Sequence, residues 1–160
     1  MGLKYRNSIF GPNLFFVTTS TLGRVNYFNN EERLIIVQQE LYKTVRLKSC
    51  ILMAYVIMPN HIHLLLGSKV GGHGISKFIH SFKGIVRKKI VGDQRFWERG
   101  FDDLVITSEE QFRIKLNYIH YNPVKANLVE KPEDWIYSSY GFWELNEANE
   151  NLTRDFAWLE

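Results

Sequence analysis

The sequence contains a single cysteine, Cys50, in 160 residues. No intrachain disulfide can form from it, and no thiol-rich zinc cage. No run of about 18 apolar residues occurs, which argues against a membrane span. The first residues lack the charged-then-apolar layout of a secretory signal. Internal repeats and low-complexity tracts are absent. These absences lead to the expectation of a soluble cytoplasmic protein. The chain is 45% hydrophobic and 14% aromatic, enough to bury a real core. Disordered, collagen-like and mucin-like classes are therefore excluded. The length suits one domain and is short for two.

Charge of one sign is also scarce in places. The net charge of +3 hides a gradient, from +10 over residues 1–100, through −1 over 101–129, to −6 over 130–160. The basic part suits a phosphate backbone as partner. Two ordinary solvated surfaces explain the same numbers equally well.

Local patterns give the elements. Residues 14–20 (LFFVTTS) are aromatic and β-branched, a strand. Asn29 or Asn30 caps a helix over 31–45. Strands at 50–58 and 61–67 flank Pro59-Asn60, which suggests a hairpin. Gly71, Gly72 and Gly74 read as a flexible link into a helix over 75–90 with one apolar stripe. A short strand at 104–107 follows. Thr107 and Ser108, with Glu110 and Gln111 three residues on, form a capping box for a helix over 109–121. The first six elements have the split βαβ, ferredoxin-like order. The expected fold is α+β, an antiparallel sheet with helices on one face, plus an extra C-terminal helix. Residues 1–143 are read as one domain and 144–160 as an acidic tail.

His61-Ile62-His63 opens the third strand. Alternation puts both imidazoles on one face, about 7 Å apart along the strand, where they can hold one metal ion. Two surface or core histidines would look the same, and a metal needs a third ligand. Asn122 is a candidate. It lies four residues after Tyr118, so a helix delivers an amide oxygen and a phenol on one face. Two imidazoles and an amide suit Mg²⁺ or Mn²⁺ with open water positions. Pro123 disfavours helical backbone at Asn122, and a plain helix-end residue is the competing reading.

The segments AYVIMPNHIHLLL (54–66) and NYIHYNPVKANLV (117–129) resemble the single-tyrosine HUH transposases of the insertion-sequence-200-like group. The likeness is strongest to the REP-associated tyrosine transposase branch. FWERGFDDLVI (96–106) and DWIYSSY (134–140) resemble its flanking segments. The resemblance implies a ferredoxin-like catalytic domain that cleaves and rejoins single-stranded DNA at hairpin-bearing sites. It implies His61, His63 and Asn122 as metal ligands and Tyr118 as the nucleophile. Tyr121 is the rival nucleophile, and His120 a neighbour pointing elsewhere on the helix. A bacterial, nucleoid-associated location follows from the same likeness, and so does a substrate with an imperfect hairpin. Both monomers and homodimers are compatible with it.

Lys83, Arg87, Lys88, Lys89, Arg95 and Arg99 form the most basic stretch and are the candidate phosphate contacts. Trp97, with Phe96 and Phe101, is a candidate for stacking on unpaired bases, although core positions are the commoner use of such rings. Two departures from the branch stand out. Asn127 replaces a frequent glycine, which a left-handed turn tolerates. Glu98 replaces a frequent glutamine and adds negative charge near the expected groove. The acidic tail, net −4 over 144–160, suggests a segment that lies over the basic groove and competes with DNA. The competing functions are a domesticated hairpin-binding module without chemistry and a metal-dependent nuclease using water.

Overall fold

The computed structural model describes residues 13–159. Strand β1 (Leu14–Ser20) leads to helix α1 (Glu31–Leu47), the hairpin β2 (Ile51–Met58) and β3 (His61–Gly67), and helix α2 (Gly72–Ile90). Strand β4 (Asp102–Val105), helix α3 (Glu109–Lys125) and the short helix α4 (Tyr140–Glu144) complete it. The sheet order is β2-β3-β1-β4 and every neighbouring pair is antiparallel. This is the expected α+β, split βαβ arrangement.

Two cores result from strand alternation. Phe15, Val17, Leu52, Tyr55, Ile57, Ile62, Leu64 and Leu66 face α1 and α2. Leu14, Met53, Ala54, Val56, Met58 and Leu65 face the other way, with Phe112 and Ile119 of α3. The register shift between Leu52 and Ala54 lets Met53 and Ala54 both join this second core. Helices α1 and α2 thus share one face, and the extra helix α3 covers the opposite one.

Helix ends show where local signals were sufficient. Asn30 caps α1, its side chain accepting from Arg33 N at 2.9 Å. Ser108 caps α3, accepting from Gln111 N at 3.1 Å. Other boundaries differ from expectation. The glycine link is the first turn of α2. There Gly74 packs so closely on Ser68 that a Cβ would meet its hydroxyl at 2.0 Å. Strand β4 starts two residues early because Asp102–Val105 pairs with Phe15–Thr18 of β1. Helix α3 continues through Pro123 to Lys125. Pro123 cannot donate to Ile119, yet Ala126 N still bonds Asn122 O at 3.0 Å. Asn122 is therefore helical, contrary to the bias that proline imposes on the residue before it. Asn127 takes a left-handed backbone, φ 58°, as expected for a turn there.

Residues 135–159 belong to this fold. Ile57 N bonds Tyr137 O at 2.9 Å and Ser139 N bonds Tyr55 O at 3.0 Å, so the segment pairs along the free edge of β2. Trp135 and Trp143 donate to Ile57 O and Met53 O of the same strand. Further on, Thr153 N reaches Leu52 O, Phe156 packs on Phe112, and Trp158 lies against Gly67. The acidic segment thus sits at the β2 edge and the Gly67 end of β3. It does not cover the basic stretch of α2, which corrects the expectation of a groove-blocking tail. Cys50 is buried, and burial pushes its thiol up to about 11, so it stays protonated and inert.

Candidate active site

Strand β3 starts at the hairpin turn, so His61 and His63 lie at its first and third positions. Both face α3, as Leu65 does, while Ile62 and Leu64 face α1 and α2. The two rings meet edge to face with centroids 4.7 Å apart. Each ring is oriented through Nδ1. His61 Nδ1 is 2.6 Å from Asn60 Oδ1. His63 Nδ1 is 2.8 Å from Oγ1 of Thr18, its register partner on β1. Since Asn60 Oδ1 can only accept, His61 carries its proton on Nδ1. His63 Nε2 is buried and has no hydrogen-bond partner among the described residues.

Burial is the main reason both imidazoles stay neutral. It pulls His61 down to about 4, aided by the Arg24 charge and opposed by a hydrogen bond with Asn122. It pulls His63 down to about 3, aided by His61, Arg24 and Lys115. Neutral imidazoles are what a metal ion requires of histidine ligands.

Helix α3 brings the remaining groups. Tyr118 meets the His63 ring edge to face at 5.2 Å and Phe16 at 5.9 Å. Its side chain is exposed at 39%. One turn later, Asn122 is buried beside His61. The i, i+4 relation thus delivers phenol and amide to the same place. Tyr121 is exposed on another face, beside Tyr140. His120 points toward the segment along β2, with Nε2 2.8 Å from Ser139 Oγ and its ring against Tyr140. Neither residue joins the histidine cluster.

Among the described residues, no group of three His, Cys, Asp or Glu could hold a metal ion. The donor set present is two imidazoles and one amide. The orphaned His63 Nε2 and the amide beside His61 fit a divalent ion whose other positions are filled by water or phosphate oxygens.

The basic stretch has a different character. Its α2 part lies on the sheet face away from the histidines, and the loop beyond α2 returns to the end of β1, where Glu98 N bonds Ser20 O at 2.9 Å. Lys83 donates to Glu98 O at 2.9 Å and Gly100 O at 2.6 Å, fastening the loop after α2. Lys89 forms an ion pair with the buried Glu40 of α1. Arg87 Nη1 lies 3.5 Å from Asp93 O. Lys88, Arg95 and Arg99 are exposed. Trp97 is buried among Phe28, Phe82 and Phe96, and its Nε1 donates to Lys83 O. Trp97 and Phe96 are therefore core residues, which corrects the base-stacking expectation. Glu98 has a structural use, since its Oε1 accepts from Gly23 N at 2.8 Å.

Several residues at the site escaped sequence reasoning. Lys115 and Lys125 lie three residues before and seven after Tyr118, a helical spacing that could have revealed them. Their ammonium groups sit 5.6 Å from the Tyr118 ring centre. Asn60 directly precedes His61. Thr18 and Arg24 have no local signal, since strand register and a turn bring them in.

Residues 15–122 match the family model described as "Transposase IS200 like", a span from β1 to Asn122. The chain belongs to the IS200-like transposase family. A relative from Haemophilus influenzae, named as a REP-associated tyrosine transposase, is 30% identical over 101 residues. That match covers 55% of this chain and 57% of the relative's length. The Escherichia coli REP-associated tyrosine transposase is 26% identical over 125 residues, covering 72% and 73%. A solved REP-associated tyrosine transposase bound to a REP hairpin superposes with a TM-score of 0.71 at 20% identity, over 88% of each chain. The IS200-like fold is thus shared along nearly the whole chain. No helix among the described residues is long and apolar enough to cross a membrane.

Proposed function

We propose that this chain cleaves and rejoins single-stranded DNA beside a hairpin, using Tyr118 as nucleophile. The observation that carries this is the meeting of Tyr118 with His63 at 5.2 Å on the helix that also brings Asn122 to His61. The REP hairpin bound by the structural relative supports the hairpin as the substrate element.

The phenolic oxygen of Tyr118 attacks a backbone phosphorus. A tyrosyl O–P bond forms and the P–O3′ bond breaks. The products are a 5′-phosphotyrosine link and a 3′-hydroxyl, the phenol's proton passing to solvent and the leaving oxygen taking one up. Rejoining is the same step reversed, so no ATP is needed. His61, His63 and Asn122 would hold Mg²⁺ or Mn²⁺, which when bound polarises the phosphate and offsets its developing charge. Thr18 and Asn60 orient the two imidazoles. Phe16 stacks on His63 at 5.3 Å and walls the site on the β1 side.

The test is incubation of a labelled hairpin oligonucleotide bearing a single-stranded flank with the protein and Mn²⁺, followed by denaturing electrophoresis. A covalent protein–DNA band is expected, absent in Tyr118→Phe and retained in Tyr121→Phe. Binding without any adduct would identify a non-cleaving module instead. Cleavage that survives Tyr118→Phe would identify a nuclease using water.

A further inference from the structure

Around the histidines and Tyr118 the charged side chains that reach the rings are all of one sign. Lys115 Nζ lies 4.8 Å from the Phe16 ring centre and 5.6 Å from that of Tyr118. Lys125 Nζ approaches Tyr118 at 5.6 Å. Arg24 stands on the turn after β1, and Asn60 joins that turn to His61, its Nδ2 donating to Arg24 O and its Oδ1 facing His61 Nδ1. Among the described residues, none of these three side chains forms a hydrogen bond or an ion pair. Cations gathered where a metal ion is to bind repel it unless an anion lies among them.

Arg24 is distinguished by its backbone. Its φ is 56°, in the left-handed region that a Cβ disfavours, and Gly23 before it has φ 64°. Arg24 is exposed, so packing does not explain the conformation. The turn is instead held from outside. Thr21 N bonds Asn60 O at 2.9 Å, and Leu22 N bonds Phe96 O at 2.9 Å. Gly23 N bonds Glu98 Oε1 at 2.8 Å, and Asn60 Nδ2 donates to Arg24 O at 3.2 Å. The other end of that same amide holds His61. One side chain thus fixes the position of Arg24 relative to His61. Strained backbone that its surroundings over-determine persists where a side chain must be aimed.

Resting on the strand-transfer reading above, we infer that Arg24 is the phosphate-binding residue that seats the single strand across His61, His63 and Tyr118. Lys115 and Lys125 flank the same path on the α3 side. A phosphodiester is the anion that relieves their mutual repulsion, and a guanidinium binds it through paired donors.

The test is binding, measured by fluorescence anisotropy without divalent ions, on full-length chain carrying Tyr118→Phe. The probes are a hairpin oligonucleotide with a single-stranded extension and the same hairpin with a blunt end. Arg24→Gly suits the left-handed turn, so it should not lower the melting temperature. It should weaken binding of the extended probe about tenfold at low salt and reduce the log–log salt slope by about 0.7, leaving the blunt probe unaffected. Arg24→Lys should retain part of the affinity, and Lys43→Ala on α1 should match the parent. An Arg24→Gly protein with parental affinity and slope for the extended probe overturns the inference. So does an equal loss for both probes. A parent that binds neither probe removes the DNA reading itself, and this inference with it.

Discussion

Thr18 Oγ1 lies 2.8 Å from Nδ1 of His63, directly across the β1–β3 pair. This contact, made across 45 residues of chain, orients the imidazole ring. In the proposed metal site this partner would govern affinity, typically by 10- to 100-fold. Thr18→Val keeps the shape and removes the oxygen. It is expected to weaken Mn²⁺ binding about tenfold, read by isothermal titration calorimetry. It should also destabilise the fold by about 1 kcal/mol. Thr18→Ser should restore the affinity. Equal metal affinity in the valine variant would show that the hydroxyl does not orient the ring.

Acid should unfold this protein early. Burial holds His61 at about 4, His63 at about 3 and His120 at about 4, each below the ordinary 6.5. Between those values and 6.5 the unfolded chain binds protons that the folded chain refuses. Stability therefore falls as pH drops through this window and is flat with respect to these groups above about 7. At pH 5 each histidine costs on the order of 2 kcal/mol. Urea unfolding at pH 7.5, 6 and 5 without divalent ions measures it. His120→Gln should remove one share of the slope without touching the histidine pair. A midpoint unchanged from pH 7.5 to 5 would contradict the buried, neutral assignment.

What was readable in the sequence is what depends on one element at a time. His61 and His63 share a face because strands alternate, and Tyr118 and Asn122 share one because four residues make about one helical turn. What was not readable depends on two elements meeting. Thr18 reaches His63 through strand register, and Arg24 approaches through a turn that Asn60 and Glu98 hold. Trp97 has a composition suited to stacking on bases, but the loop after α2 folds it inward onto Phe28 and Phe82. Pro123 signalled a helix end, but α3 tolerates one missing donor because packing against β2 and β3 holds it in place.

The ion pair of Lys89 with Glu40 ties α2 to α1. Glu40 is 3% exposed, whereas the Lys89 side chain is half exposed. Removing the lysine strands a carboxylate in the core, while removing the carboxylate strands nothing. Lys89→Ala should cost roughly 1–3 kcal/mol, discounted for the exposure of the ammonium. Glu40→Gln should cost less, and the double variant should recover part of the loss. Urea denaturation of the four proteins gives the coupling. Purely additive effects would mean that the pair is incidental, and Lys89 would return to the set of candidate DNA contacts.

Gly67 ends β3, and its missing side chain is filled by Trp158 from the far end of the chain. A Cβ there would lie 2.0 Å from Trp158 Cη2. The indole cannot yield easily, because neighbouring residues Phe156 and Leu159 pack into the same core with Phe112 and Ile119. Gly67→Ala is expected to destabilise by about 1–3 kcal/mol, the usual range for overpacking. Trp158→Ala alone should also destabilise, through lost burial. The double variant should be more stable than the sum of the two losses implies, since alanine at 67 then occupies space that the indole has left. Thermal unfolding of the four proteins measures the coupling, and strict additivity would show that the C-terminal segment does not seat on β3. The histidine pair lies at the opposite end of that strand, so the adduct expected of the proposed function should form equally at 25 °C in all four.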